Sequence, residues 1–272
     1  MTDATADAAD PFRRDGSELR EQCVSFIESE VEDAGANGVV VVLAGGADSS
    51  AVATLAVEAL GPDRVYGLVL PSSKIGSRNA QDAEAVAEAL GIETDTIHLQ
   101  PLLMRFGEMV PERADLHGDP IVRDNLVARL RTTMAYLAAD ATDALVVGAA
   151  TRTDLLLGSV AEHGDGAADL LPLGGLYGTE AGALASALEL PAFVTEPRPA
   201  AGQYPRRDDG HGIDAPTEAV DRVLYRLVDS GWSPERIRSE VGLDPEVIDR
   251  IVEHRRATER ERRQPAVGPG SD

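Results

Sequence analysis

Residues 39–43 read Val-Val-Val-Val-Leu, an unbroken apolar run that stops at Ala44-Gly45-Gly46. A strand with no polar alternation has no face to give to water, so this one belongs inside a sheet covered on both sides. The glycines then turn the chain into Asp48-Ser49-Ser50 and a helical run over 50–60. The same strand-then-helix rhythm recurs along the sequence. An amphipathic helix over 17–35 (Leu19, Cys23, Phe26, Ile27, Val31) precedes the run; strands follow over 65–70, 94–99 and 144–147, with helices over 80–90, 101–110 and 124–139. Strands separated by helix-length segments predict an α/β fold, a doubly wound parallel sheet flanked by helices. Residues 218–229, 233–242 and 244–256 add a helical C-terminal segment, with Ser233 and Asp244 as N-caps and Gly242 as the break between the last two helices. One domain is expected over 17–265, including a helical extension over 218–262. A small, acidic N-terminal tail at 1–16 and a short tail at 266–272 read as disordered.

The chain carries 47 acidic residues against 25 basic ones, a net charge of -22, and Lys74 is its only lysine. That field repels nucleic-acid phosphates and anionic membrane surfaces, so neither is an expected partner. The last two helices therefore read as a structural pair rather than a DNA-reading helix-turn-helix. Acid excess with lysine scarcity fits a protein kept soluble in very high salt, from a halophilic, archaeal source. The single cysteine, Cys23, has no partner for an internal disulfide. With no signal peptide and no apolar run of about 18 residues, a cytoplasmic location is expected.

Ligands on sheets of this kind sit at the carboxyl ends of the strands, and the turn at 44–46 is such a place. A strand, a Gly-Gly turn and a helix start aim several backbone N–H groups at one point, which suits a phosphate. A carboxylate there would repel phosphate unless a divalent cation lay between them, so Asp48 implies Mg2+. On this stretch alone, a tight turn with Asp48 as the helix cap explains the residues equally well.

The Gly45-Gly46-Ala47-Asp48-Ser49 core resembles the pyrophosphate loop of the ATP-pyrophosphatase superfamily, Ser-Gly-Gly-x-Asp-Ser. Later segments narrow the likeness: NLVARLR at 125–131, VVGAATRTD at 146–154, GDGAADLLPLGGLY at 164–177, PRPAAG at 197–202 and the terminal ERRQP. In that order and spacing they resemble the NAD synthetases over about residues 17–265. The resemblance implies an adenine nucleotide α-hydrolase-like fold and an ATP-dependent amidation of deamido-NAD with ammonia, giving NAD, AMP and pyrophosphate. It implies ATP binding by Gly45, Gly46, Asp48 and Ser49, and a metal held by Asp48 and Asp154. It also implies deamido-NAD binding by Arg129, Asp165 and Asp169, free ammonia as nitrogen source, and a homodimer.

The pattern breaks at several positions. Ala44 replaces the first serine of the loop, Ala149 a threonine, Glu162 a lysine, His163 a tyrosine, Gly178 the lysine of a Leu-Tyr-Lys motif, and Ala200 a serine or threonine. Thr151 stands near a usual Asn or His, and Arg260 and Glu261 fall on a His-Lys pair. Arg152, Arg206 and Arg207 are candidate replacements for the missing cations. The alternative these losses raise is a catalytically impaired paralogue serving as a nucleotide-binding or subunit-interaction module. A redirected adenylating enzyme is a further reading, and the sequence offers it no CxxC pair for sulfur chemistry.

Overall fold

The computed structural model describes residues 12, 14–72, 78–111, 114, 116, 118–164, 166–195, 213–263 and 268. Asp165, Ala200, Arg206 and Arg207 lie outside the described residues, as do the tail at 266–272 except Gly268 and the tail at 1–11.

In chain order the elements are α1 (Gly16–Ala34), β1 (Val39–Leu43), α2 (Ala47–Leu60), β2 (Val65–Val69), α3 (Arg78–Leu90), β3 (Glu93–Thr96), α4 (Gln100–Met109), α5 (Pro120–Thr142) and β4 (Leu145–Val147). They continue with α6 (Arg152–Leu157), α7 (Gly178–Ala187), α8 (Ala192–Thr195), α9 (Thr217–Leu224), α10 (Pro234–Glu240) and α11 (Pro245–Ala257). The four strands form one parallel sheet in the order β3-β2-β1-β4. The valine run is an interior strand, paired with β2 on one side and β4 on the other. Its side chains divide by the strand's period of two. Val39, Val41 and Leu43 enter a core shared with α1, α2 and α7, while Val40 enters a second core with Val127, Leu130 and Ala135 of α5. Both faces are thus covered, as the uninterrupted run required. A third core gathers α9, α10 and α11 around Leu157 and Tyr177.

Local chemistry sets the boundaries. Ser233 and Asp244 cap α10 and α11 with prolines behind them, and Gly242 breaks the chain between them at φ 71. Helix α5 starts at Pro120, four residues before the start expected from periodicity, because Asp119 accepts from the amides of Ile121 and Val122. The strand expected over 94–99 is shorter. Pairing ends at Val69 with Thr96, and Leu99 turns in to bond Pro71 before Pro101 sits in the first turn of α4. The helix expected over 218–229 changes winding at Tyr225, and residues 225–229 form a π-helical turn. The N-terminal stretch also departs from a solvated tail. Phe12 is buried, with its ring 5.1 Å from that of Tyr177 and 6.0 Å from that of Tyr225, and Arg14 pairs with buried Glu180 at 2.6 Å.

Candidate functional site

The sheet's strand order reverses between β1 and β4, the neighbour pair whose connections leave in opposite directions. A cavity of about 340 Å3 opens there. Its walls are the end of β1 (Val42, Ala44), the start of α2 (Gly46, Asp48, Ser49) and the end of β4 with its turn (Val146 to Ala150). Asp154 and Ser159 of the α6 segment and Arg131, Thr132 and Ala135 of α5 close it.

The turn's shape depends on Gly45. Its φ is +75, and a Cβ there would fall against the Asn79 carbonyl oxygen, so a side chain meets both backbone strain and a collision. At Gly46 nothing lies within 4 Å of a built Cβ; the backbone faces open space. Gly46 is the N-cap of α2 and supplies no side chain, leaving first-turn amides without intrahelical acceptors. Ser49 braces this turn. Its hydroxyl accepts from the Ala44 amide at 3.1 Å and donates to the Gly46 carbonyl at 3.2 Å. Ser50 donates to the same carbonyl at 2.8 Å.

Asp48 lies one residue inside the helix, so it is not the cap. Its side chain is solvent-accessible through the cavity mouth, yet protein encloses it on most sides. That burial, and the neighbouring Asp154 carboxylate, push the Asp48 carboxyl from 3.8 up to about 6. The two carboxylates named from sequence therefore meet across one cavity and feel each other's charge. Asp154 is fixed by a capping box: Thr151 donates to its Oδ2 from the amide at 3.0 Å and the hydroxyl at 2.6 Å. Among the described residues no group of three or more His, Cys, Asp or Glu could hold a metal, so a cation here would have Asp48 and Asp154 as its carboxylates among the described residues.

Arg129 and Asp169 are not brought to the cavity. Arg129 is exposed and donates to the Glu162 carbonyl at 2.9 Å. Asp169 ties its own segment to β4, accepting from the Val146 amide at 2.8 Å and the Tyr136 hydroxyl at 3.0 Å. Arg131, two residues beyond Arg129, is the cation among the cavity-lining residues, with Nε donating to the Leu70 carbonyl at 3.4 Å. Arg131, Thr132 and Ser159 are lining residues that the reading of the sequence did not single out, although Arg131 ends the NLVARLR stretch.

The departures from the family pattern also take definite places. Ala44 and Ala149 line the cavity. Gly178 does not. Its amide donates to the Thr153 hydroxyl at 2.8 Å, and a Cβ would meet Thr217 Cγ2 at 2.7 Å, with Asp221 Oδ2 at 3.7 Å. Arg152 is not available as a replacement cation: it is ion-paired with Asp229 and lies 5.5 Å over the Tyr177 ring. Arg260 and Glu261 are exposed on a short turn after α11.

A parallel α/β sheet with a glycine cradle and two facing aspartates at its switch point defines the class: an adenine nucleotide α-hydrolase-like protein carrying a pyrophosphate-type loop. The family follows from the whole chain. The NAD synthase family profile matches residues 19–265, and the chain belongs to that family. It is 36% identical over 245 residues, 90% of this chain and 94% of the relative, to an NH3-dependent NAD+ synthetase of Methanosarcina mazei. It is 32% identical to that of Halobacterium salinarum, covering 92% of each chain. Among solved structures it superposes on the NH3-dependent NAD synthetase of Campylobacter jejuni with a TM-score of 0.78 at 26% identity, covering 94% of this chain and all of the other. NMN synthetase from Francisella tularensis superposes equally, with a TM-score of 0.78 at 25% identity over 95% of this chain.

Proposed function

We propose that this chain is an ammonia-dependent NAD+ synthetase that adenylates the nicotinate carboxylate of deamido-NAD with ATP and amidates it with free ammonia. The observation that carries the reading is the cavity itself, in which the glycine cradle, Asp48 and Asp154 face one space at the switch point of the sheet. Amides at the start of α2 receive the β and γ phosphates of ATP, aided by the helix dipole. Asp48 and Asp154 fit a Mg2+ ion, since a carboxyl raised by burial and by the neighbouring Asp154 charge is what a shared cation would relieve. When bound, Mg2+ neutralises the charge of the phosphate tail. The turn braced by Ser49 holds the cradle in place, and Arg131 contributes the cationic wall.

In the first step a carboxylate oxygen of the substrate bonds to the α-phosphorus and pyrophosphate leaves with the electron pair of the broken P–O bond. In the second, ammonia bonds to the carbonyl carbon, AMP leaves as the phosphate anion, and the extra proton on nitrogen goes to solvent. The side chains act by positioning and charge neutralisation rather than as nucleophiles.

Helix α4 has no buried residue. It exposes Leu102, Phe106 and Met109 on one face, the last 80% exposed, with Met104 exposed on another, and α5 adds Ile121. An apolar stripe on a chain with a net charge of -22 supports a homodimer through this face, since two like-charged copies gain nothing from charge pairing.

The test is turnover at high KCl with ATP, Mg2+, ammonia and either deamido-NAD or nicotinate mononucleotide, beside the Methanosarcina mazei relative as a working control. The expected outcome is equal AMP and NAD from deamido-NAD. No AMP and no NAD from an otherwise folded protein overturns the proposal, and amidation of the mononucleotide alone would reassign the substrate.

A further inference from the structure

We propose that Arg255 and Arg262 form an anion site for a multiply charged phosphate, at the C-terminal end of α6 and separate from the glycine cradle. Arg255, in the last turn of α11, donates from Nη1 to the Leu156 carbonyl at 3.3 Å. Arg262, on the short turn after α11, donates from Nη2 to the Arg255 carbonyl. The hydroxyl of Thr258 closes the same junction, donating to the Leu157 carbonyl at 2.5 Å. The guanidiniums are thus fastened to backbone by one arm each, and both remain partly open to solvent.

Among the described residues neither makes an ion pair with a carboxylate, whereas Arg263 beside them pairs with Glu259 at 2.8 Å; Glu259 attracts both, and Glu261 attracts Arg262, without a salt-bridge contact. The Nε of Arg262 is buried without a hydrogen-bond partner. Burial lowers the pKa of Arg255, and burial together with the charge of Arg255 lowers that of Arg262. Carbonyl oxygens satisfy donors but cancel no charge, so two half-buried cations side by side are only partly compensated by Glu259 and Glu261. The charged groups around them are Glu259, committed to Arg263, Glu261, exposed on the turn, and Arg152 with Tyr177, both committed to Asp229. An oxyanion with several acceptor oxygens can take the remaining outward N–H groups of both guanidiniums at once.

The chemistry fits free pyrophosphate or phosphate, the β and γ phosphates of ATP being received by the glycine cradle. The site does not rest on the synthetase reading, and its first test needs no turnover. Wild-type protein in EDTA at fixed high KCl is labelled with phenylglyoxal with and without inorganic pyrophosphate, and the peptides are read by mass spectrometry. Arg255 and Arg262 should be protected while Arg263 is not. Equal labelling with and without pyrophosphate overturns the site.

The second test is thermal unfolding under the same conditions. Pyrophosphate at a hundredfold excess over its Kd should raise Tm by on the order of 5 °C or more. Arg255→Gln and Arg262→Gln should lose that shift, Arg262→Lys should lose part of it, and Arg263→Gln should keep it. Without pyrophosphate, Arg262→Gln should melt no lower than wild type, whereas an arginine serving structure alone would lower Tm. Retention of the full shift in both glutamine variants overturns the proposal. A roughly tenfold rise in the KM for ATP in Arg262→Gln would overturn a site separate from the glycine cradle.

Discussion

Replacing Asp48 by Asn should stabilise the metal-free protein while weakening what the cavity binds. Without a cation, the folded chain holds the Asp48 proton to about pH 6, against an ordinary value of 3.8. Between those values the folded state binds more protons than the unfolded state, so stability falls as pH rises. The penalty is absent below 3.8 and complete above about 6. At about 1.36 kcal/mol per pKa unit the displacement corresponds to about 3 kcal/mol. Because the side chain reaches solvent through the cavity mouth, screening reduces this to roughly 1–2 kcal/mol.

Asn has nearly the same shape and no charge, so Asp48→Asn removes the penalty. In EDTA, denaturant unfolding of the two proteins across pH 4 to 8 should give curves that converge at the acid end. Above pH 6 the variant should lead by about 1–2 kcal/mol. Mg2+ should stabilise wild type and not the variant, and Mg2+-dependent ATP binding should weaken by roughly tenfold or more. A variant no more stable than wild type above pH 6, or equally favoured at pH 4, would refute the claim that burial and the neighbouring Asp154 together burden the Asp48 carboxylate. Retained Mg2+ stabilisation in the variant would refute the claim that the pair is where the ion sits.

Other expectations follow from single contacts. Gly45→Ala meets positive φ and the Asn79 carbonyl together; it should cost about 1–3 kcal/mol in denaturant unfolding and abolish ATP protection against heat. Ala44→Ser restores a hydroxyl on the cavity wall, and the KM for ATP should fall about fivefold, the effect of one added hydrogen bond. Phe12→Ala removes a buried ring in edge contact with Tyr177 and Tyr225; a loss of about 2–4 kcal/mol in Tm-derived stability is expected. Met109→Asp should shift a dimer toward monomer in light scattering, with the fold intact by circular dichroism.

The parts of the fold that could be read in advance are those where one local signal dominates. Five apolar residues in a row left β1 no edge position, and Ser233 and Asp244 announced α10 and α11 as caps ahead of prolines. Helices α6 and α7 were obscured because glycines at 158, 164, 166, 174, 175 and 178 break any apolar period over that passage. Their order comes from long-range partners such as Thr153 on Asp221 at 2.5 Å, 68 residues apart in sequence. The π-helical turn at 225–229 carries no proline or glycine, and its Asp229 is placed by Arg152 and Tyr177, which no local pattern reveals. In the site, Asp48 and Asp154 were legible through their motifs. Arg131 was not, because two residues of helix turn a side chain by roughly 200°, so Arg129 and Arg131 face opposite ways although one motif contains both.

That helical geometry also decides what the missing lysines mean. Read as a string, Gly178 and Glu162 are lost cations beside ATP, and their loss argues for an impaired paralogue. In the fold, neither residue lines the cavity: the Cβ direction at 178 runs into Thr217 and toward Asp221, and residue 162 meets Arg129 through its backbone carbonyl. A side chain at 178 would first have to displace Thr217 from its contact. Of the departures placed in the structure, Ala44 and Ala149 reach the cavity wall, and each removes a hydroxyl rather than a charge. Under the proposed mechanism, two lost neutral hydrogen bonds would cost about 1–3 kcal/mol together. The charged groups that the proposed mechanism uses, Asp48, Asp154 and Arg131, all line the cavity.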